Sequence, residues 1–404
     1  MKNAGILTIG NEILQGYTLD TNTNHISKEL TLRNIEATVH LTIADNKEKI
    51  IEKVDKFLIK NYDYIFITGG LGPTHDDITR HSLKELFNCK LSFLEERHKN
   101  INKRFKKAKI PKNQSQILDI AKPLDNEYGT AIGMYFKHKN SKIIVLPGVP
   151  VEMKGMLNLY FDKHSNDFKK NNSIFTLNTC GIYETKLYEK MKPLISKYDN
   201  KIYFSFLPSY SGVKLRVNIK HRSINRKSIE KELIDYLNDY VYGIDDITIE
   251  QIIFNNLKKT KKTISLAESC TGGSISKKLT GLPGISKVFT GSVIAYSNDI
   301  KNKILNVSSK LIDDYGAVSK QVAEEMAFNV KKIFKTDIGI SCTGISGPTG
   351  GTVNKPVGTV FISVCYKNIF LTEKYFFKVD RQSHRKLTEH AALYMLWRML
   401  IKIK

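Results

Sequence analysis

Residues Thr263–Thr280, TISLAESCTGGSISKKLT, decide how the chain is read. Ile264, Leu266 and Ala267 make a short apolar run suited to a buried strand, and a polar turn then leads into a helix that opens at Gly272–Gly273. A strand passing straight into a helix leaves several backbone N–H groups free at one point, and glycine lets a ligand approach the main chain closely. Ser269 and Cys270 stand at this positive helix end, where an attacking anion or a developing oxyanion is favoured. Ser and Thr before a helix are also ordinary N-caps, so the stretch by itself fits either a cap or a nucleophile. A serine hydroxyl needs a neighbouring base, and a desolvated lysine can serve. Ser274 and Lys277 are spaced S-x-x-K on one helix face; alternatively Ser269 is served from a distance, for instance by Lys301 at the end of AYSNDIK. Spacing does not choose between them.

Downstream, Val288–Tyr296 reads as a strand, Asn302–Leu305 as the start of a helix, and Val322, Met326, Val330 and Ile333 recur at helical spacing behind Ser319 as N-cap. Asp337–Cys342 is a strand that ends in the glycine-rich Thr343-Gly344-Ile345-Ser346-Gly347-Pro348. Two glycine-rich strand ends, at Ser269 and Thr343, are therefore expected to converge on one pocket. Val357–Tyr366 and Phe370–Phe377 read as adjacent strands, and Lys386–Ile401 as a terminal amphipathic helix carrying the only tryptophan, Trp397. His384 and His390 are read as surface or packing residues.

Upstream, strand-like runs (Ala4–Ile9, Ala37–Ile43, Tyr64–Thr68, Lys142–Leu146) alternate with helix-like ones (Thr23–Leu32, Lys47–Lys60, Asp76–Phe87, Leu94–Lys107, Val151–Phe161). Such alternation implies a mostly parallel sheet with helices on both faces, and ligands on such sheets bind beyond the carboxyl ends of the strands. Glycine turns fall at those ends: Gly10 with Glu12, then Gly69, Gly70, Gly72 and Thr74 in TGGLGPTHDD. That second turn suits a phosphate or pyrophosphate cradle. Asp76 and Asp77 follow it, either to complement a helix dipole or to hold Mg²⁺ or a similar divalent ion over bound phosphates. Between the two regions, strands Ile174–Cys180, Ile202–Leu207 and Val213–Ile219 with helices Glu184–Ser196 and Arg226–Tyr240 make a small α+β piece. Lys214, Arg216 and Lys220 lie on one strand face, either to contact phosphate or, as the preferred reading, because a solvent-facing strand gives the same alternation. Tyr242–Glu250 reads as the next boundary.

At 404 residues the chain exceeds one ordinary core. The domains are read as 1–168, 169–245 and 246–404: an α/β chain with a mostly parallel first sheet, a small α+β middle domain and a C-terminal α/β domain. The five cysteines are scattered and form no CxxC pair, which indicates neither a disulfide framework nor a structural zinc site. The formal net charge is +23, but the lysines are spread through the whole chain rather than gathered in a stripe, so a nucleic-acid partner is not expected. No charged-then-apolar leader precedes the first strand, and no apolar run nears the roughly 20 residues of a membrane helix; a cytoplasmic protein is expected, with no membrane partner.

AESCTGG, GSVIAYSNDIK, YGAVS, SCTGISGP, KPVGTV and the late Asp380-Arg381 pair resemble the nicotinamide mononucleotide deamidase domain of the CinA family. GNEILQG, TNTN, TGGLGPTHDD, LPGVPVEMKGM, GIYET and LPSYSGVKLR resemble the rest of a full-length member, in the family's order. The resemblance implies a molybdopterin-binding-like first domain, a KH-like middle domain and a C-terminal amidohydrolase. It implies Ser269 as nucleophile, with Tyr296 and Lys301 as its activating partners, and Thr343 and Gly344 lining the same pocket. Backbone N–H groups at Thr271, Gly272 and Gly273 would hold the oxyanion, and a glycine loop or Arg381 the substrate phosphate. No cofactor is implied for the deamidase. The first domain would carry a metal-dependent ADP-ribose pyrophosphatase. There the family's N-P-x-G-T-A-P-G stands as Asn126-Glu127-Tyr128-Gly129-Thr130-Ala131-Ile132-Gly133, without either proline, and a looser loop is expected. A homodimer acting on a pyridine nucleotide, and on ADP-ribose in the first domain, is the expectation. A competence or DNA-uptake binding protein, or a molybdopterin-binding protein without amidase activity, are the alternatives.

Overall fold

The computed structural model describes residues 2–105, 110–169, 173–221 and 223–403, in two units, Met1–Asn172 and Ser173–Lys404. The end of the expected helix Leu94–Lys107 lies outside the described residues.

The first unit comprises strands β1 (Lys2–Ile9), β2 (Ile35–Ile43), β3 (Tyr64–Thr68), β4 (Leu91–Phe93), β5 (Gln116–Leu118), β6 (Lys122–Leu124), β7 (Gly133–His138) and β8 (Ser141–Leu146). Its helices are α1 (Asn11–Leu14), α2 (Thr21–Thr31), α3 (Lys47–Ile59), α4 (Thr79–Leu86), α5 (Glu95–Arg104) and α6 (Pro150–Lys163). Six strands form one sheet in the order β2-β1-β3-β8-β7-β6, the first four parallel and the last two antiparallel. Both faces are buried, as a parallel sheet requires. Ile65 and Ile67 enter one core and Tyr64 and Phe66 the other, because neighbours along a strand point to opposite sides. β4 to β7 have no counterpart in the sequence reading: three of them span only three residues, too short to show a period.

The second unit begins with an antiparallel sheet, β10-β11-β9-β12, made from β9 (Ile174–Thr179), β10 (Ile202–Ser209), β11 (Gly212–Ile219) and β12 (Val241–Ile244), with α7 (Glu184–Lys197) and α8 (Arg226–Leu237). Val213, Leu215, Val217 and Ile219 of β11 are buried and Lys214 is exposed, so the charge alternation is that of a half-buried strand. β12 closes this sheet against β9 and ends at Ile244, within the expected boundary stretch Tyr242–Glu250.

The rest of the unit holds α9 (Ile249–Thr260), β13 (Ile264–Glu268), α10 (Ser274–Thr280), β14 (Phe289–Ile294), α11 (Asn298–Lys303), α12 (Ser309–Tyr315), α13 (Lys320–Phe334), β15 (Ile338–Gly344), β16 (Thr359–Tyr366), β17 (Ile369–Phe376) and α14 (Arg381–Lys402). The sheet order is β14-β13-β15-β16-β17, with β13 central among three parallel strands and β16 and β17 antiparallel. Ile253 and Leu257 of α9 and Leu393, Leu396 and Leu400 of α14 cover one face; Val322, Met326 and Val330 of α13 cover the other. Two helices start earlier than their apolar periodicity suggests. Ser297 caps α11 by accepting from Ile300 N, and Asp380 caps α14 by accepting from Gln382 N and Ser383 N. Lys301 and Arg381 are thereby helical. Among the described residues no helix is long and apolar enough to cross a membrane.

Candidate active site

β13 ends at Glu268 and the chain turns at once, so Ser269 projects from the carboxyl edge of the central strand. The register Glu268↔Cys342 sets the end of β15 beside it, and Ser269 N donates to Cys342 O at 3.1 Å. On the other side Ala295 N donates to Glu268 O at 2.7 Å. The chain then enters α11, which aims Lys301 back under the turn. Lys301 is 2% exposed, and its Nζ donates to Ser269 Oγ at 3.1 Å and to Ala295 O at 2.9 Å. Burial lowers the Lys301 pKa below the ordinary lysine value of 10.5, because the ammonium loses its hydration. In the neutral amine the same contact lets Nζ receive the serine proton. Lys277, the S-x-x-K candidate, lies on α10 and bonds to neither serine by its side chain.

Cys270 is not placed to compete. A hydrogen bond with Cys342 and burial push its thiol well above the usual range, and the thiolate is the nucleophilic form.

Glu268 is the residue that sequence reasoning missed. It is fully buried, and its carboxylate accepts from Thr271 Oγ1 (2.7 Å), Gly273 N (3.0 Å), Ile275 N (3.2 Å), Ser276 N (2.8 Å) and Ser276 Oγ (2.6 Å). It therefore occupies the positive end of α10 that was assigned to a ligand. The expected oxyanion donors change accordingly. Gly273 N serves Glu268 and Gly272 N serves Ser269 O at 3.1 Å, the Cys270 amide faces its own thiol, and the Thr271 amide has no acceptor among the described residues. An acid directly before a polar turn and helix start was the available signal.

Tyr296 follows β14 and is exposed. Its hydroxyl accepts from Arg381 Nη2 at 2.5 Å and bonds to neither Ser269 nor Lys301, so the structure pairs it with the cation rather than with the nucleophile. Arg381 Nη1 also holds Gly347 O at 2.7 Å. Arg385, one turn further along α14 and absent from the sequence reading, donates to Thr271 O at 2.7 Å. Arg385 thus borders the turn that carries Ser269, while Arg381 lies against Tyr296 and the Gly347 loop. Thr343 is buried and its hydroxyl donates to Ala317 O at 2.8 Å, while Gly344 pairs with Val360. Both shape the neighbouring strand end and present no free polar side chain. His384 is buried, with Ser346 Oγ and Gly358 O on its two ring nitrogens, which fits a packing role.

Residues 246–400 match the CinA C-terminal domain, 5–164 a probable molybdopterin binding domain and 176–243 the damage-inducible protein CinA KH domain. A CinA-like protein of Thermosipho melanesiensis is 40% identical over 99% of this chain and 100% of its own length. The chain belongs to the CinA family. A CinA-like protein of Pseudothermotoga lettingae is 36% identical over 99% of both chains, and a putative competence-damage inducible protein of Alkaliphilus metalliredigens is 36% identical over 99% of this chain and 100% of its own.

In the first unit of this CinA-family chain, the glycine turns serve packing. A Cβ on Gly69 would stand 2.1 Å from Ile9 O, and one on Gly70 2.2 Å from Thr79 Oγ1. Gly10 caps α1 and Glu12 beside it is exposed. α4 starts only at Thr79, so Asp76 and Asp77 precede it. Asp77 turns into its own loop and accepts from Gly72 N (2.7 Å), Thr74 N (2.9 Å) and Thr74 Oγ1 (2.5 Å). Among the described residues no group of three or more His, Cys, Asp or Glu is placed to hold a metal ion. Asp76 and Asp77 do not fit the expected divalent site, because both oxygens of Asp77 are already engaged and one carboxylate remains. The loop without its prolines is not loose. Asn126 is buried, accepts from Tyr128 N (3.0 Å) and Gly129 N (2.9 Å), and donates to Ala131 O (3.0 Å) and Glu152 Oε2 (2.5 Å).

Proposed function

We propose that this CinA-family protein hydrolyses the carboxamide of nicotinamide mononucleotide to nicotinate mononucleotide and ammonia. The observation that carries the reading is the 3.1 Å contact between Ser269 Oγ and the buried Lys301 Nζ. Neutral Lys301 takes the proton of Ser269 as Oγ bonds to the carboxamide carbon, and the carbonyl electron pair moves to oxygen. The Thr271 amide is the donor available to that oxyanion. Collapse breaks the C–N bond, Lys301 returns its proton to the leaving nitrogen, and ammonia departs. Water then attacks the acyl ester, Lys301 takes its proton, and Ser269 and the carboxylic acid are released. Arg381 and Arg385 supply positive charge for the 5′-phosphate; the pyridine nucleotide itself is implied by the family resemblance.

Turnover of nicotinamide mononucleotide, followed as ammonia release by the full chain, tests this. Turnover is expected in the native chain and not in Ser269→Ala; equal ammonia release by both would remove Ser269 from the reaction.

Because the base must be neutral, activity is lost as pH falls through the lowered Lys301 pKa and is retained above it. The acidic limb of kcat against pH is therefore expected below 10.5, the ordinary lysine value, and Lys301→Arg, which cannot deprotonate, is expected to be inactive at every pH. A limb at the ordinary lysine value would contradict a desolvated base. Arg385→Ala is expected to raise KM by about tenfold with kcat changed much less, the sign of lost uniform binding. An unchanged KM would take Arg385 out of substrate binding.

A further inference from the structure

A cavity of about 490 Å³ opens in the second unit where the turn between β9 and α7 and the β10–β11 hairpin meet one flank of α14. Its size is that of a small-molecule site, and such sites are walled mainly by apolar and aromatic side chains with a few placed polar groups. Here the walls are Tyr183, Tyr210, Tyr240, Tyr375, Phe377 and Tyr394. Tyr183 is 82% exposed and Tyr210 50%, a pair of large rings left open at the rim. Tyr375 and Phe377 stack at 5.5 Å between centroids. The turn is built to admit an aromatic ring: Gly181 has φ +73, and a Cβ there would stand 2.1 Å from Tyr394 Oη. None of these residues belongs to the Ser269 site.

The polar groups exclude a strongly anionic ligand. Arg398 is the one arginine or lysine in the lining, and it is held by Glu373, which also accepts from Tyr375 Oη at 2.6 Å. Burial holds His390 at a pKa of about 4, so it is neutral near pH 7. Glu184 adds a further carboxylate. Among the described residues the lining itself holds no uncommitted cation to meet a phosphate; Lys386 stands outside it, its Nζ 5.7 Å from the centre of the Tyr210 ring. The hydroxyls of Tyr183, Tyr240 and Tyr394, in contrast, have no hydrogen-bond partner among the described residues, and each can donate or accept.

We propose that this cavity binds an uncharged planar aromatic heterocycle, a free base or nucleoside rather than a nucleotide, stacked on the rim tyrosines and bonded by the free tyrosine hydroxyls. The proposal does not depend on amide hydrolysis at Ser269. Trp397, the only tryptophan, reports on the site, since its ring lies 6.1 Å from that of Tyr394. Titration of the full chain with adenosine is expected to change Trp397 fluorescence saturably, with calorimetry giving the same Kd. Tyr183→Ala and Tyr210→Ala are each expected to weaken binding by about tenfold, the usual scale for losing one stacking ring. Tyr183 is exposed enough that its loss leaves folding intact, and circular dichroism checks this. Adenosine 5′-monophosphate is expected to bind more weakly than adenosine. Absence of saturable binding by both methods, equal or tighter binding of the monophosphate, or full affinity in both alanine variants would each overturn the proposal.

Discussion

Ser269→Ala is expected to lower amidase turnover by on the order of 10⁴-fold or more, and Lys301→Ala by a similar factor, with the double variant little worse than either. Residues that act as one nucleophile–base unit lose almost everything when either is removed, so their effects do not add. The geometry makes this unit exclusive. Lys301 is the amine that reaches Ser269, at 3.1 Å, and its second contact, to Ala295 O at 2.9 Å, fixes its direction. Because Ser269 is itself nearly buried, bulk water does not substitute for the missing base. Single-turnover ammonia release measures all three variants. Additive losses in the double variant would separate the two residues into independent roles.

Glu268→Ala is expected to destabilise the protein by on the order of 4 kcal/mol, because Thr271 Oγ1, Gly273 N, Ile275 N, Ser276 N and Ser276 Oγ lose their shared acceptor in a buried place. For a chain of 404 residues that corresponds to a Tm lower by roughly 5 °C. Glu268→Gln keeps one carbonyl acceptor and is expected to fall between the two. Differential scanning calorimetry of the three proteins decides it; a shift of only about 1 °C for Glu268→Ala would show that the first turn of α10 finds other acceptors. Activity is expected to fall with stability, since the turn that carries Ser269 is held by the same carboxylate.

Glu268 also shows where reading the chain as a string stops short. Strands β3 and β13 were legible because short, nearly continuous apolar runs bounded by turn residues demand burial on both faces. The helix of Ser319 was legible because a cap and a 3.6-residue period agree. Lys301 and Ser269 were linked by family motifs, not by spacing, since 32 residues and a whole strand separate them and only β13–β14 pairing brings them together. The free N–H groups expected at Gly272 and Gly273 were a sound inference from a strand–helix turn. They are used, but by an acid of the preceding strand rather than by a ligand. The same lesson holds at Asp77, whose carboxylate closes its own glycine loop, and at Asn126, whose side chain does the stiffening that two prolines would have done. Short polar side chains bonding nearby backbone compete with ligands for the same groups, and only geometry reveals which wins.

The central claim is that Ser269 opens the carboxamide covalently with Lys301 as its base. Rapid mixing of the full chain with nicotinamide mononucleotide, acid quenching and peptide mass mapping tests it most directly. The account predicts an acyl group on the peptide containing Ser269, formed together with the first ammonia and absent in Lys301→Ala. Ammonia released in a first turnover with that peptide unmodified at every time point would contradict it.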